Sequence, residues 1–265
     1  VYGLETRRII MKKTVKVRDI IIGEGIPKIC VPIVGRTKEE LLEEVNSLKD
    51  ISLDVVEWRV DFYENVEEIE KVKEMLVDIR KLLLNTPILF TFRSKKEGGE
   101  KEVSVEYYAQ LNKEIAATSL VDLVDVELFT GDEIVKDIVA SAQASGVKVV
   151  MSNHDFFKTP AQEEIVSRLR KMQELKADLP KIAVMPQNQS DVLVLLSATN
   201  EMVQNYAEGP IITMSMAGTG VISRLAGEVF GSALTFGAAK KASAPGQIAV
   251  ADLRTVLNIL HNSVK

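Results

Sequence analysis

Cysteine is almost absent: the 265-residue chain holds one, Cys30. A single thiol excludes an internal disulfide framework and fits a reducing, cytoplasmic compartment. Histidine is scarce too, with only His154 and His261. One strand-end histidine among scattered acids is too little for a zinc site. Positive charge is not in excess: 33 Lys and Arg stand against 38 Asp and Glu, a net charge of −5. That argues against a general affinity for nucleic acid. Long apolar runs are missing as well. The longest weakly polar stretch, 211–239, is interrupted by Arg224 and Glu228, so no membrane span is expected. No glycine-rich fingerprint follows the first strand-like run, which counts against an open dinucleotide-binding sheet. No glycine stretch ends in the Lys-Ser/Thr of a phosphate-cradling loop. Neither a linker nor a low-complexity tract divides the chain. Residues 1–10 precede a plausible start at Met11 and lack the apolar centre of a secretory signal. They read as an upstream extension or a cloning remnant, leaving 11–265 as one domain.

What is present is periodic. Hydrophobic residues make up 46% of the chain, enough for a core that needs no covalent staples. Eight short runs rich in Val and Ile, at 28–34, 53–60, 87–93, 121–127, 147–153, 179–186, 211–216 and 232–237, have the composition of parallel strands buried on both faces. Helix-like stretches lie between them, as at 38–49, 67–84, 162–176 and 190–206. Thr37, Asn65, Asn188 and Ser190 sit where N-caps belong, and Gly146 where a helix should stop. The runs recur roughly every 30 residues, the length of a βα unit. Eight units without a composition break predict an α/β chain closed as a (β/α)8 TIM barrel, which commonly takes about 250 residues. An earlier piece, 14–22, reads as a strand pair turning near Arg18 and Asp19, an N-terminal hairpin covering the barrel bottom.

Barrel enzymes put their chemistry at the C-terminal strand ends, and the polar residues cluster there. The second run closes on Glu57-Trp58-Arg59-Val60-Asp61, where alternation sets Glu57, Arg59 and Asp61 on one face. Charges pointing into a barrel must be paired or face a ligand, and a structural ion pair satisfies the pattern as well as a binding role does. Arg93 ends the third run, and Gly98-Gly99 would let the backbone turn closely and place Glu97; a solvated charged loop is the plainer reading. His154 falls just past the end of the fifth run, where a proton shuttle would belong, although a hydrogen-bonded structural histidine fits the position too. His261, near the end of the last helix, suits a surface role complementing the helix dipole. Lys181 stands in an apolar strand. A desolvated amine beside other cations gives up its proton more easily, and a neutral amine can attack a carbonyl to form an imine. A lysine snorkelling from a strand start is the alternative, and spacing leaves both open. Arg224 follows a Gly-rich turn and can grip an anion in a bidentate fork, near a helix N-terminus that also favours anions. The small-residue loop around Ser243, Pro245, Gly246 and Gln247 suits a lid or an ordinary surface loop.

Seven segments carry a family resemblance in the right order: EWRVDF (57–62), TFRSKKEGGE (91–100), SNHDF (152–156), KIAVMP (181–186), SMAGTGVISR (215–224), FGSALTFGAA (230–239) and SAPGQ (243–247). Together they resemble the type I 3-dehydroquinate dehydratases over essentially the whole chain from Met11. The resemblance implies elimination of water from 3-dehydroquinate to 3-dehydroshikimate in the shikimate pathway, by way of a Schiff base. It makes Lys181 the imine lysine, His154 the proton donor and acceptor, and Glu97 the group that orients His154. Arg224 and Gln247 would grip the substrate carboxylate with help from Ser243, while Glu57, Arg59 and Arg93 would meet ring hydroxyls and balance charge. It implies no cofactor and no metal, a cytoplasmic homodimer, and neither nucleic acid nor membrane as partner. Two departures are residues 1–10 and Pro32 in the first strand. A class I aldolase would share barrel and imine lysine but cleave a carbon–carbon bond; a non-catalytic barrel would bind a small carboxylate without forming enone.

Overall fold

The computed structural model describes residues 13–239 and 246–264. The expected extension at 1–10, and Ser243 with most of the expected lid, lie outside them. The chain opens with an antiparallel hairpin, β1 (Val15–Val17) and β2 (Ile20–Ile22), paired Val15↔Ile22 and Val17↔Ile20. Arg18, at φ 50°, makes the turn where the sequence suggested it.

Eight parallel strands follow: β3 (Lys28–Ile33), β4 (Val55–Arg59), β5 (Ile88–Thr91), β6 (Leu123–Glu127), β7 (Lys148–Asp155), β8 (Leu179–Val184), β9 (Ile212–Ser215) and β10 (Leu234–Phe236). From β3 to β9 each strand pairs with the next, and β10 pairs with β3. A bridge between Ile211 and Ser232 links the β9 and β10 sides, so the sheet is a nearly closed barrel. Helices α1 (Lys38–Ser47), α2 (Ile69–Leu83), α3 (Val105–Ala117), α4 (Asp132–Ala144), α5 (Gln162–Glu174) and α6 (Gln189–Asn205) follow β3 to β8 in turn. Two short helices, α7 (Val221–Leu225) and α8 (Gly227–Phe230), follow β9, and α9 (Val250–Val264) follows β10. No helix among the described residues is long and apolar enough to cross a membrane.

The strands are apolar on both faces because both are covered. Ile29, Val31, Val56, Trp58, Phe90, Val124, Val149 and Ile182 share one buried cluster with the helices. The alternate residues Cys30, Val55, Leu89, Leu123, Val150, Leu179, Ile212 and Leu234 form a second cluster inside the barrel, together with Val15, Val17 and Ile22 of the hairpin. The hairpin therefore plugs the bottom, and each Leu or Val at this level gains about 1.5–3 kcal/mol on leaving water. Asp122, just before β6, clamps the plug: it accepts from Arg18 Nε at 2.5 Å, Arg80 Nη2 at 2.6 Å and the Ile88 amide at 2.8 Å.

Local signals held unevenly. Thr37 and Asn188 cap α1 and α6, accepting from the amides of Glu40 and Asp191, and Gly146 takes φ 77° after α4. Ser190 lies inside the first turn of α6 and is not its cap. Asn65 is not a cap either, because α2 starts only at Ile69. The segment before it folds as a turn that buries Val66, whose carbonyl accepts from Tyr107 Oη at 2.7 Å. His261 is not a simple surface group: its Nδ1 lies 2.6 Å from Glu228 Oε1, half-buried between α9 and α8. Pro32 lies two residues beyond the last β10 partner, Cys30, so its missing N–H removes no rung of that ladder.

Candidate active site

Side chains two residues apart on a strand share a face. Stepping up by two from the apolar bottom layer reaches Glu57, Thr91, Asp125, Ser152, Lys181, Met214 and Phe236, all buried inside the barrel. The next step reaches Arg59, Arg93, Glu127 and His154. The barrel thus turns from apolar to charged within one strand period, on the side where the strands end. Arg59, Arg93, Lys181 and Arg224 stand buried with the carboxyl groups of Glu57, Asp61, Glu97, Asp125 and Glu127. Such a concentration is costly to desolvate unless the charges satisfy one another or a ligand.

Arg93 is the hub. Its Nη1 donates to Glu127 Oε1 at 2.8 Å and to Ser152 Oγ at 2.9 Å, and its Nη2 lies 2.8 Å from Asp125 Oδ1. Burial disfavours its charge, but Asp125, Glu127, Glu97 and Glu57 outweigh that and hold the guanidinium charged. Arg59 instead makes a two-pronged pair with Asp61, at 2.8 Å for each bond. The inward pairing expected for Glu57 and Arg59 is therefore divided: Arg59 turns to Asp61, and Glu57 accepts from Thr91 Oγ1 at 3.0 Å.

Lys181 is the third residue of β8 and only 3% exposed, so it does not reach solvent from a strand start. Its Nζ lies 3.5 Å from Asp125 Oδ2, 3.9 Å from Glu57 Oε1 and 4.6 Å from the centroid of the Phe236 ring. The nearest charges are thus carboxylates, where the sequence had suggested cations.

His154 belongs to β7, which runs two residues beyond the apolar run and pairs His154 with Ala183. Glu97 ends a one-turn 3-10 helix, Lys95–Glu97, and Gly98 follows at φ 86°. A side chain at Gly98 would meet the Phe156 ring at 2.4 Å, and one at Gly99 the Arg93 carbonyl at 1.9 Å. Those glycines let the turn fold back and carry Glu97 to β7. There Glu97 Oε2 accepts from the His154 amide at 2.8 Å and faces His154 Nδ1 at 3.0 Å, while Oε1 accepts from Asn153 Nδ2 at 3.1 Å. Burial, with Glu127 nearby, raises the Glu97 carboxyl to about 7. Burial and the cations Arg93, Lys181 and Arg59 push the His154 imidazole well below its usual range. His154 is therefore neutral near pH 7, and Glu97 engages Nδ1, leaving Nε2 as the nitrogen that can serve a ligand.

Eight of the nine residues singled out from the sequence line one pocket: Glu57, Arg59, Arg93, Glu97, His154, Lys181, Arg224 and Gln247. It opens to solvent and encloses about 90 Å³. Met214, Met216, Phe156 and Phe236 form its apolar walls. Arg224, on α7, is 1% exposed, and burial lowers its guanidinium to about 10, still charged near neutrality. A neutral imidazole, a buried amine and a buried arginine around one cavity can bind a small anion and move protons at a neighbouring carbon. Asp125 and Glu127 were not singled out from the sequence. Their signal was the Leu-Val-Asp-Val-Glu alternation of β6, which matches the inward spacing of Glu57 and Arg59.

The profile of the family described as Type I 3-dehydroquinase matches residues 29–264. The chain is 64% identical over 254 residues to the 3-dehydroquinate dehydratase of Clostridioides difficile, covering 96% of this chain and 100% of that one. It is 64% identical over 251 residues to the Listeria innocua enzyme of the same name, covering 95% and 99%. Among solved structures, the Clostridium difficile type I 3-dehydroquinate dehydratase with covalently modified comenic acid superimposes with a TM-score of 0.94, covering 96% of this chain and 100% of that one. The Geobacillus kaustophilus 3-dehydroquinate dehydratase does so with a TM-score of 0.93 at 40% identity, covering 97% and 99%. A 3-hexulose-6-phosphate synthase at 19% identity and a TM-score of 0.59 shares the barrel alone. By profile, sequence and fold, the chain belongs to the type I 3-dehydroquinase family.

Proposed function

We propose that this chain removes water from 3-dehydroquinate to give 3-dehydroshikimate, with Lys181 as the imine-forming residue and His154 as the proton carrier. The convergence of a buried lysine and a carboxylate-held, neutral histidine on one pocket carries this reading.

The departing hydroxyl is β to the substrate ketone, so the proton must leave the carbon between them. Lys181 Nζ adds to the ketone carbon, the oxygen leaves as water, and a protonated C=N bond remains, a stronger electron sink than C=O. His154 Nε2 takes the C2 proton; the C–H pair forms C2=C3, and the C=N π pair moves to nitrogen as an enamine. The enamine then pushes out the C1 hydroxyl, which takes the proton back from His154 and leaves as water. A further water hydrolyses the conjugated imine, restoring the amine and releasing the enone. Imine formation releases one water and hydrolysis consumes one, so one water is lost overall. Positioned acid–base help of this kind is typically worth about 10²–10⁴ in rate. None of these steps requires a metal or a nucleotide.

Arg224 and Gln247 hold the substrate carboxylate, with help from Ser243, which lies outside the described residues. Glu57, Arg59 and Arg93 meet the ring hydroxyls and balance charge around the imine. The chain acts as a cytoplasmic homodimer, a state that light scattering would test. With purified protein and 3-dehydroquinate, near-ultraviolet absorbance from the conjugated enone should rise with time. Ligand binding without that rise would leave a carboxylate-binding barrel, and cleavage of a phosphorylated sugar in its place would leave an aldolase.

A further inference from the structure

Asp125 is a fully buried carboxylate on β6 at the same level of the barrel as Lys181. One oxygen is engaged: Oδ1 accepts from Ser152 Oγ at 2.6 Å and lies 2.8 Å from Arg93 Nη2. The other, Oδ2, has no hydrogen-bond partner and lies 3.5 Å from Lys181 Nζ. A buried acceptor left without a partner is costly unless something arrives to use it. Glu57 is the competing carboxylate, but it is farther from Nζ, at 3.9 Å, and its near oxygen already accepts from Thr91. Burial works against the charge of Asp125, yet Arg93, Lys181 and Ser152 prevail and keep it ionised.

We propose that Asp125 is the counter-ion of the imine nitrogen, its Oδ2 accepting a hydrogen bond from the N–H of the protonated imine and keeping that proton in place. This rests on the reading of Lys181 as the imine lysine. The nitrogen is cationic before C2 loses its proton and again after the hydroxyl has left; it is neutral in the enamine between. At both cationic stages a neighbour must keep the N–H bond intact. Without one, the proton leaves nitrogen, and a neutral imine withdraws electrons from C2 far less. Ser152 and Arg93 fix Oδ1, and so aim Oδ2 at Nζ. Phe236, its ring 4.6 Å from Nζ, adds a second surface that favours a cation.

Asp125→Asn tests this with little change of shape. The variant keeps an oxygen for Ser152 and Arg93 but turns an amide NH2 toward Nζ. Cyanoborohydride reduces protonated imines selectively, whereas borohydride reduces both protonated and neutral ones. In the full chain incubated with 3-dehydroshikimate, wild type should be labelled at Lys181 by both reagents. In Asp125→Asn, turnover should fall roughly 10²-fold, borohydride should still label Lys181, and the ratio of cyanoborohydride to borohydride labelling should drop about tenfold. A merely structural role would lower both labels together. Ser152→Ala, which removes one of the two groups holding Oδ1 and leaves Arg93, should lower the ratio in the same direction but less, and carries the test if the Asn variant does not fold. An unchanged ratio in the folded variants overturns the counter-ion role. Failure of wild type to be labelled at Lys181 by either reagent overturns the imine reading instead.

Discussion

Glu97→Gln keeps the length of the side chain beside His154 but removes its charge. In the wild type Oε2 accepts from the His154 amide at 2.8 Å, and Oε1 accepts from Asn153 Nδ2 at 3.1 Å. A glutamine has one oxygen for these tasks, and the backbone N–H of His154 can only donate. Its oxygen therefore turns to His154, and its NH2 meets the NH2 of Asn153. Asn153 cannot flip to relieve this, because Arg168 Nη1 donates to its Oδ1 at 2.8 Å. Two opposed donors cost about 1–3 kcal/mol. Against that stands the charge. The Glu97 carboxyl is raised from 4.5 to about 7, chiefly by burial, so ionising it in the folded state costs about 3 kcal/mol more than in the unfolded chain. The folded protein binds this proton more tightly, so the wild type has the benefit in full below pH 4.5 and loses it as pH rises toward and through 7. Glutamine does not titrate. The variant should be about 1–3 kcal/mol less stable than wild type near pH 4.5 and should gain about 3 kcal/mol on it by pH 8. Urea unfolding followed by the fluorescence of the single, buried Trp58 measures the difference at each pH. A stability difference that stays flat from pH 4.5 to pH 8 would refute the raised Glu97 carboxyl and the charge balance built on it.

His154→Ala should lower turnover by about 10²–10⁴ while borohydride still fixes ligand to Lys181; near-normal enone formation would remove the imidazole from the mechanism. Arg224→Ala should weaken substrate binding about 10- to 150-fold, the loss of a charge-assisted hydrogen bond worth about 1.5–3 kcal/mol. Calorimetry with the slow His154→Ala background would read that loss, and an unchanged Kd would assign Arg224 another task. Asp122→Ala strips one carboxylate from Arg18, Arg80 and the Ile88 amide at the barrel bottom. It should cost about 3 kcal/mol of stability with turnover per folded molecule unchanged, and urea midpoints beside enone rates would show whether the two separate.

The barrel was legible because its strands are apolar on both faces, a pattern that composition alone reveals. The hairpin was legible from a short alternating pair around Arg18 and Asp19. The candidate site was legible where a charge interrupts an apolar run, as at Glu57, Arg93 and Lys181, or follows one closely, as at His154. Asp125 and Glu127 obey the same rule, yet their importance depends on register across three strands: Asp125 pairs with Val150, and Ser152, two residues on, pairs with Lys181. Nothing local to β6 states that Asp125 stands level with an amine two strands away. Local signals also yield to packing. Asn65 has the chemistry of a cap, but burial of Val66 delays the helix to Ile69. His261 ends a helix as a dipole partner would, but the packing of α9 against α8 brings it to Glu228.

The most direct test is chemical. Borohydride added to the protein with 3-dehydroshikimate should attach the reduced ligand to one peptide, the one containing Lys181, and Lys181→Ala should take up none while remaining folded. Attachment to another lysine, or equal attachment in the alanine variant, would contradict the assignment of the reacting nitrogen.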